Sequence, residues 1–246
     1  MVLNIVVPMA GKGSRFQQAG YTFPKPLIEV KGKPMIQIVV ENLRPKCAHR
    51  FIFIVQKEHY QKYAMHSLLN LIAPGCKIVQ TEGVTAGAAC TVLLAKEYID
   101  NDDDMVIANS DQFVDFELDS LVDFARKEHL DGAILTFDST HPKWSFARVD
   151  ETGYVVEVAE KNPISNHATV GIYYYGKGNF FVKHAQEMIS KGIRVNNEFY
   201  VCPVYNEMIL DNLKIKIFNI PVSKMHGLGT PEDLNEFLKS DAVNKI

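Results

Sequence analysis

The sequence predicts an α/β/α sandwich: a mixed, mostly parallel central sheet between two helical layers, with a small antiparallel hairpin inserted. Three observations carry that expectation. Residues 51–55 (F-I-F-I-V) and 105–109 (M-V-I-A-N) are too continuously apolar for a sheet with one wet face, so they read as strands covered on both sides. Segments with helical spacing separate such runs, which gives the alternation of strand, helix and strand. Farther on, residues 146–150 and 154–160 flank the turn Glu151-Thr152-Gly153, the pattern of an antiparallel hairpin.

Taken in order, residues 4–8 form the first buried strand, and the glycine-rich stretch A-G-K-G-S-R-F that follows can continue it neither as strand nor as helix. A helix over 35–42 ends before Pro45, and the strand at 51–55 is central. Tyr60, Tyr63, Leu68 and Leu71 give one helix over 57–72, stopped by Pro74-Gly75, and 76–79 is the next strand. A polar loop covers 80–86, and Gly87 opens an Ala-rich helix to about residue 98. The acidic run 101–104 reads as a solvated turn without chemistry. After the strand at 105–109, Asp111 stands just past a carboxyl end, where open α/β sheets place their ligands. A helix over 113–128, a strand over 133–137, the hairpin, a strand over 168–175 and an amphipathic helix over 180–190 follow. A helix over 198–210 despite Pro203, a strand over 214–220 and a last helix to 238, with Thr230 as N-cap and Pro231 in its first turn, complete the chain.

With 246 residues and no long linker or repeat, the chain reads as a single domain over 1–246. The 26 basic and 29 acidic side chains give a net charge of -3, so no global field attracts nucleic acid or an anionic membrane, and any phosphate binding must be local. Cys47, Cys76, Cys90 and Cys202 form no C-x-x-C pair and read as reduced thiols of a cytoplasmic protein. The apolar start lacks a basic leader and falls short of the roughly 20 residues a membrane span needs, so no membrane insertion is expected.

The candidate chemistry gathers in residues 10–30. Gly11 and Gly13 flank Lys12, which lets the backbone approach a ligand closely while Lys12 and Arg15 bring positive charge. Lys25, between Pro24 and Pro26, is a further cation on a segment whose φ angles the two rings fix. Phe16 stands where a dinucleotide fingerprint needs glycine, and the Walker spacing is absent. Taken whole, A-G-K-G-S-R-F followed by P-K-P-L-I-E-V-K-G-K-P-M-I resembles the signature of the sugar-phosphate nucleotidyltransferases, or nucleoside-diphosphate-sugar pyrophosphorylases.

That resemblance implies a Rossmann-like, glycosyltransferase-A-like fold with a nucleotide-binding half (1–112) and an acceptor-binding half (113–246). It implies a Mg2+-dependent enzyme that joins a nucleoside triphosphate to a phosphorylated small molecule, foremost a sugar 1-phosphate, and releases pyrophosphate. The matching positions assign Ala10, Gly11, Gly13, Ser14, Arg15 and Lys25 to nucleotide binding, with Arg15 and Lys25 on the triphosphate, and Gln80 and Gly87 to the base. They assign Asp111 to the metal, and Glu160, Lys161, Thr169, Gly171 and Glu198 to the acceptor, with Lys161 on its phosphate. Arg15, Lys25, Asp111 and Lys161 are the catalytic set. Glu198 reads equally as a glutamate in the first turn of a helix, and Asp111 as an N-cap. The chain is similar to members associated with bacterial capsule or surface-polysaccharide biosynthesis, and the resemblance is compatible with a homo-oligomer.

One position departs from the pattern. The family commonly carries a second metal-binding aspartate two residues before Gly-Thr-Pro-Glu-Asp-Leu, and here Gly227 stands there. Phosphate oxygens and water are expected to complete the shell, rather than His226, a poor partner for Mg2+, or Asp233, which reads as part of the last helix, and weak activity is the remaining alternative. The departures, and Trp144 in H-P-K-W-S-F, leave room for a cytidylyltransferase with a non-sugar phosphate acceptor. A glycosyltransferase is a further alternative, although Asn109 replaces the first aspartate of the usual Asp-x-Asp, and so is a nucleotide-binding regulator without catalysis.

Overall fold

A computed structural model describes residues 2–246. The elements run β1 (Leu3–Pro8), α1 (Ser14–Gln18), a 3-10 turn (Lys25–Leu27), β2 (Glu29–Val30), β3 (Lys33–Pro34), α2 (Met35–Leu43), β4 (His49–Gln56), α3 (Lys57–Lys62), α4 (Met65–Ile72), β5 (Lys77–Thr81), α5 (Ala88–Leu93) and α6 (Lys96–Ile99). Then come β6 (Met105–Ala108), β7 (Gln112–Val114), α7 (Leu118–Lys127), β8 (Gly132–Asp138), β9 (Ser145–Val149), β10 (Val155–Glu160), β11 (His167–Tyr175), α8 (Gly178–Ser190), α9 (Val204–Leu210), β12 (Ile215–Ile220), β13 (Met225–Gly227) and α10 (Pro231–Lys239).

The parallel strands β5, β4, β1 and β6 lie side by side. β11 runs antiparallel beside β6, pairs on its other side with β8, which carries β12, and at Ala168 meets the β9–β10 hairpin. β1 shows why the sheet is covered twice. Leu3, Ile5 and Val7 enter a core built with α2, α4 and α7, whereas Val6 enters a second core with α5, α8 and α9. Successive residues of a strand face opposite ways, so a continuous apolar run serves two layers at once. The chain leaves β1 toward β4 and β5 and returns to β6 on the other side, making the β1/β6 boundary the point where strand order reverses. Such a boundary opens a crevice at the carboxyl ends of its strands. A third cluster, in which Phe16, Ile28, Phe113, Leu228, Leu234 and Phe237 are buried, ties α10 to the glycine-rich segment.

Several elements depart from the sequence expectation, each for a tertiary reason. The helix expected over 57–72 is two, because Ala64 is left-handed (φ 49°). Tyr60, Tyr63 and Leu68 pack on the first core while Leu71 is 78% exposed, so their spacing does not describe one face. The Ala-rich segment after Gly87 likewise breaks into α5 and α6. Phe113 belongs to β7, which pairs with β13 from the far end of the chain, and the crossover helix starts only at Leu118. α9 starts at Val204, not 198, since the Phe199 N–H donates to Ala86 O (2.9 Å) and Phe199 O accepts from Ala89 N (3.0 Å). That backbone is committed elsewhere and cannot enter a helix. In the acidic run, Asp104 is buried and paired with Arg126 at 2.6 Å, a structural role that a purely solvated turn does not predict. The expected N-cap is present: Thr230 Oγ1 accepts from Asp233 N at 3.0 Å, with Pro231 at the first helical position. All four cysteines are free thiols, and no helix among the described residues is long and apolar enough to cross a membrane.

Candidate active site

A cleft of about 780 Å3 opens at the carboxyl ends of β1 and β6 and extends toward the β9–β10 hairpin. The segment after β1 forms one wall. Gly13 adopts φ 64° and precedes α1, whose Phe16 is 1% exposed. Burying that ring, at roughly 1.5–3 kcal/mol, anchors a five-residue helix too short to persist alone. Gln56 Nε2 fixes the start of the segment by donating to Ala10 O (2.8 Å) and Gly11 O (3.2 Å). A Cβ on Gly13 would lie 3.4 Å from the Lys25 Cβ, an ordinary contact distance, so the proline-bracketed turn packs directly beside the loop and glycine is needed there for its positive φ. The two parts of the opening motif are therefore one surface. It carries Ala10, Gly11, Gly13, Ser14, Arg15 and Lys25 on the cleft, with Arg15 exposed and without an ion pair among the described residues.

Lys25 Nζ meets Asp111 Oδ2 at 2.8 Å, although the residues lie 86 apart in sequence. Asp111 is fixed by its backbone as well, since its carbonyl accepts from Leu228 N at 2.8 Å. A Cβ at Gly229 would fall 2.8 Å from Asp111 Oδ2, closer than real side chains approach, so the absence of a side chain there gives the carboxylate its place.

Gly87 (φ 135°) lines the cleft beside Thr85, whose hydroxyl donates to Gly87 O at 2.8 Å and bonds Thr91 Oγ1 at 2.6 Å. Gln80 is not in this loop. It sits on β5 opposite Val55, exposed and outside the cleft, because the strand runs one residue past it to Thr81.

At the hairpin end, Lys161 has a left-handed backbone (φ 55°) and donates to the Tyr200 hydroxyl at 2.6 Å, its ammonium 4.6 Å from the Tyr200 ring centroid. Glu160 is buried and accepts a hydrogen bond from Ser145 Oγ. Burial raises its carboxyl above the usual range, against the opposing effects of the Ser145 bond and the Lys161 charge. Thr169, buried on β11, shares a hydrogen bond with Tyr173 OH at 2.9 Å. Gly171 (φ 90°) stands where a Cβ would strike the Asn109 side chain at 2.3 Å. Glu198 is exposed on the cleft in an irregular segment, so its placement in the first turn of a helix does not hold. Of the two candidates near Gly227, His226 turns its ring onto Phe113 and Phe237, whereas Asp233 lines the cleft.

Tyr200, Ser145, Lys143, Ser110 and Gln112 are among the cleft residues that sequence reasoning did not place in the site, whereas Asp233, one of the candidates to complete the metal shell, does reach the cleft. The chemistry that the surface can support follows from its charges: Lys12, Arg15, Lys25, Lys143 and Lys161 line the cleft and suit anionic groups, and the Asp111 carboxylate offers the hard oxygen that Mg2+ prefers.

Comparison with known proteins gives the family and the fold. The family model described as Nucleotidyl transferase matches residues 5–201. The bifunctional protein GlmU of Methanocaldococcus jannaschii is 26% identical over 78% of this chain and 44% of its own length. The mannose-1-phosphate guanylyltransferase catalytic subunit beta of Drosophila pseudoobscura pseudoobscura is 27% identical over 69% of the chain and 47% of its own length, so the chain spans about half of these relatives. The UTP–glucose-1-phosphate uridylyltransferase AglF of Haloferax volcanii is 23% identical, with 95% of this chain and 94% of that protein covered. Among solved structures, a nucleoside-diphosphate-sugar pyrophosphorylase from Vibrio cholerae superposes with a TM-score of 0.83 at 27% identity, covering 96% of this chain and 100% of that one.

Proposed function

The chain belongs to the nucleotidyl transferase family, and from that premise we propose that it is a nucleotidyltransferase that couples a nucleoside triphosphate to a phosphorylated small molecule, foremost a sugar 1-phosphate, releasing pyrophosphate. The meeting of Lys25 with Asp111 at the β1/β6 crevice carries the reading. A cation suited to a polyphosphate and a carboxylate suited to a metal converge there from opposite sides of the strand-order reversal.

In the proposed reaction an oxygen of the acceptor phosphate forms a bond to the α-phosphorus. The bond from that phosphorus to the bridging oxygen breaks, and its electron pair leaves with pyrophosphate. A phosphate monoester, with its second pKa near ~6, is already mostly dianionic at neutral pH, so no general base is needed. The residues' task is to hold two anions in line. The Gly11–Gly13 segment, Arg15 and Lys25 take the triphosphate. The Thr85–Gly87 loop borders the base, and Lys161, steadied by Tyr200, takes the acceptor phosphate. Glu160, Glu198, Thr169 and the Gly171 backbone face the acceptor's remaining groups. Bound Mg2+ would neutralise charge on the phosphates, and Asp111 is the residue proposed to hold it. One chain thus carries a nucleotide half and an acceptor half. We place the enzyme in the cytoplasm, where triphosphates are made, with surface-polysaccharide assembly as the consumer of its product.

The test is pyrophosphate release with Mg2+ across the four common triphosphates and a panel of sugar and non-sugar phosphomonoesters. One pair should turn over in wild type and not in Lys25→Ala. The identity of that pair separates a sugar nucleotidyltransferase from a cytidylyltransferase with a non-sugar acceptor. Release of nucleoside diphosphate from a finished nucleotide sugar, with no pyrophosphate from any pair, would overturn the reading in favour of a glycosyltransferase.

A further inference from the structure

We infer that Asp233, in the first turn of α10, is the second carboxylate of the divalent-cation site, contacting the ion directly or through one of its waters. The inference rests on the reading that the ion sits at Asp111. Three observations carry it.

The first is placement along one segment. Gly227 and Gly229 stand two apart, and a Cβ on each would point at a carboxyl group: that on Gly229 at Asp111 Oδ2 (2.8 Å), that on Gly227 at the Asp233 carboxyl carbon (3.4 Å) and Oδ2 (3.5 Å). Leu228 between them is fully buried in the third core cluster, so the two glycines share the opposite side, facing the cleft that both aspartates line. The carboxylates of Asp111 and Asp233 therefore flank one glycine-lined edge. No side chain from that edge stands between them.

The second is charge. Each carboxylate already holds an ammonium group, Lys25 on Asp111 at 2.8 Å and Lys143 on Asp233 at 3.6 Å. Both carboxylates thus bind a cation within the cleft, and a divalent ion can displace the more distant ammonium from Asp233. The third is rigidity. The Asp233 backbone is held by its N–H donating to Thr230 Oγ1 at 3.0 Å, with Pro231 fixing the entry to the helix, so the carboxylate is presented before any ligand arrives.

The donor chemistry fits a small hard cation. Two carboxylate oxygens plus phosphate oxygens and water make the octahedral shell that Mg2+ takes. His226 does not compete, since its ring packs on Phe113 and Phe237 and its nitrogens are a poor match for Mg2+. A first-turn aspartate also interacts with the helix dipole, a role that alone predicts a small stability effect and no change in metal affinity.

The experiment is Mn2+ binding to the full chain, read from the loss of the free Mn2+ signal by electron paramagnetic resonance, without nucleotide. Wild type, Asp111→Asn, Asp233→Asn and the double variant Gly227→Asp/Asp233→Asn are compared, with thermal unfolding to confirm that each is folded. Asp233→Asn should weaken Mn2+ binding about tenfold or more, and the double variant should regain most of it by presenting a carboxylate from the neighbouring glycine. Binding by Asp233→Asn within twofold of wild type, while Asp111→Asn loses it, would overturn this inference and leave the proposed function standing. If Asp111→Asn also binds as wild type does, or wild type binds no Mn2+, the Asp111 metal site on which this inference rests is misplaced and the inference fails, while pyrophosphate release remains the separate test of the proposed function.

Discussion

Replacing Gly87 by alanine tests the join between the proposed nucleotide and acceptor sides of the cleft. Gly87 sits at φ 135° and ψ 171°, a region open essentially to glycine alone, so a side chain there costs about 1–3 kcal/mol in backbone strain. The added Cβ would also fall 2.4 Å from both the nitrogen and the oxygen of Phe199, and backbone atoms cannot swing aside as a flexible side chain does. Relief requires moving the 198–200 segment, at an overpacking cost of about 1–3 kcal/mol. Taking about 3 kcal/mol as the sum, Tm should fall by about 6–12 °C for a chain of this size. Displacing Phe199 also shifts its neighbours Glu198 and Tyr200, and with Tyr200 the partner of Lys161. Differential scanning fluorimetry together with steady-state kinetics reads both effects, and KM should rise for the triphosphate and for the acceptor. A Tm within about 1 °C of wild type with both KM values unchanged would show that the two segments are not coupled through this glycine.

Four further outcomes follow from the contacts. Lys25→Met should abolish pyrophosphate release in a coupled assay while circular dichroism shows an intact fold, because the side chain faces the cleft. Tyr200→Phe keeps the ring beneath Lys161 but removes the hydroxyl that accepts from it, so KM for the acceptor should rise severalfold with KM for the triphosphate little changed. Arg126→Met strands the buried Asp104 carboxylate and should destabilise the chain by about 2–4 kcal/mol in urea unfolding, with activity per folded molecule preserved. Burial raises the Glu160 carboxyl, so the folded state holds that proton more tightly than the unfolded chain and wild-type stability falls as pH rises from the ordinary glutamate value of about 4.3 through the raised one. Glu160→Gln should therefore unfold at a higher temperature than wild type at pH 8, the gap closing as pH drops below about 4.3; a gap independent of pH would refute the assignment.

The parallel core was readable because each of its strands is signalled locally. The run Phe51 to Val55 can only be a strand covered on both faces, and the structure buries all five residues. The glycine-and-cation motif was equally legible, as its conformational demands sit within 20 residues. What the sequence hid was decided by partners far away. Phe113 reads as helix until Met225–Gly227 arrives to pair with its strand, and residues 198–203 read as helix until Ala86 and Ala89 claim the Phe199 backbone. Gln80 was misplaced by a strand boundary, the least local of signals, since β5 ends where β4 stops supplying partners. Asp233 stood only as a secondary candidate for the metal shell because Thr-Pro-Glu-Asp, the clearest helix-start pattern in the chain, placed it inside the last helix, and the structure shows that a first-turn residue there lines the cleft as well.

The bond between Ala86 and Phe199 bears on how such a cleft can change its substrates. The loop beside the proposed base site and the segment beside the proposed acceptor site share backbone hydrogen bonds, with Gly87 as the close contact between them. A substitution that widens the base pocket by moving residues 84–87 must move Phe199, and with it the Tyr200 that steadies Lys161. Base and acceptor preference are then not independent settings. Exchanging one triphosphate for another through changes in that loop alone should also alter acceptor KM, and the Thr85 and Thr91 hydroxyls, which both bond the Gly87 carbonyl, belong to the coupled unit.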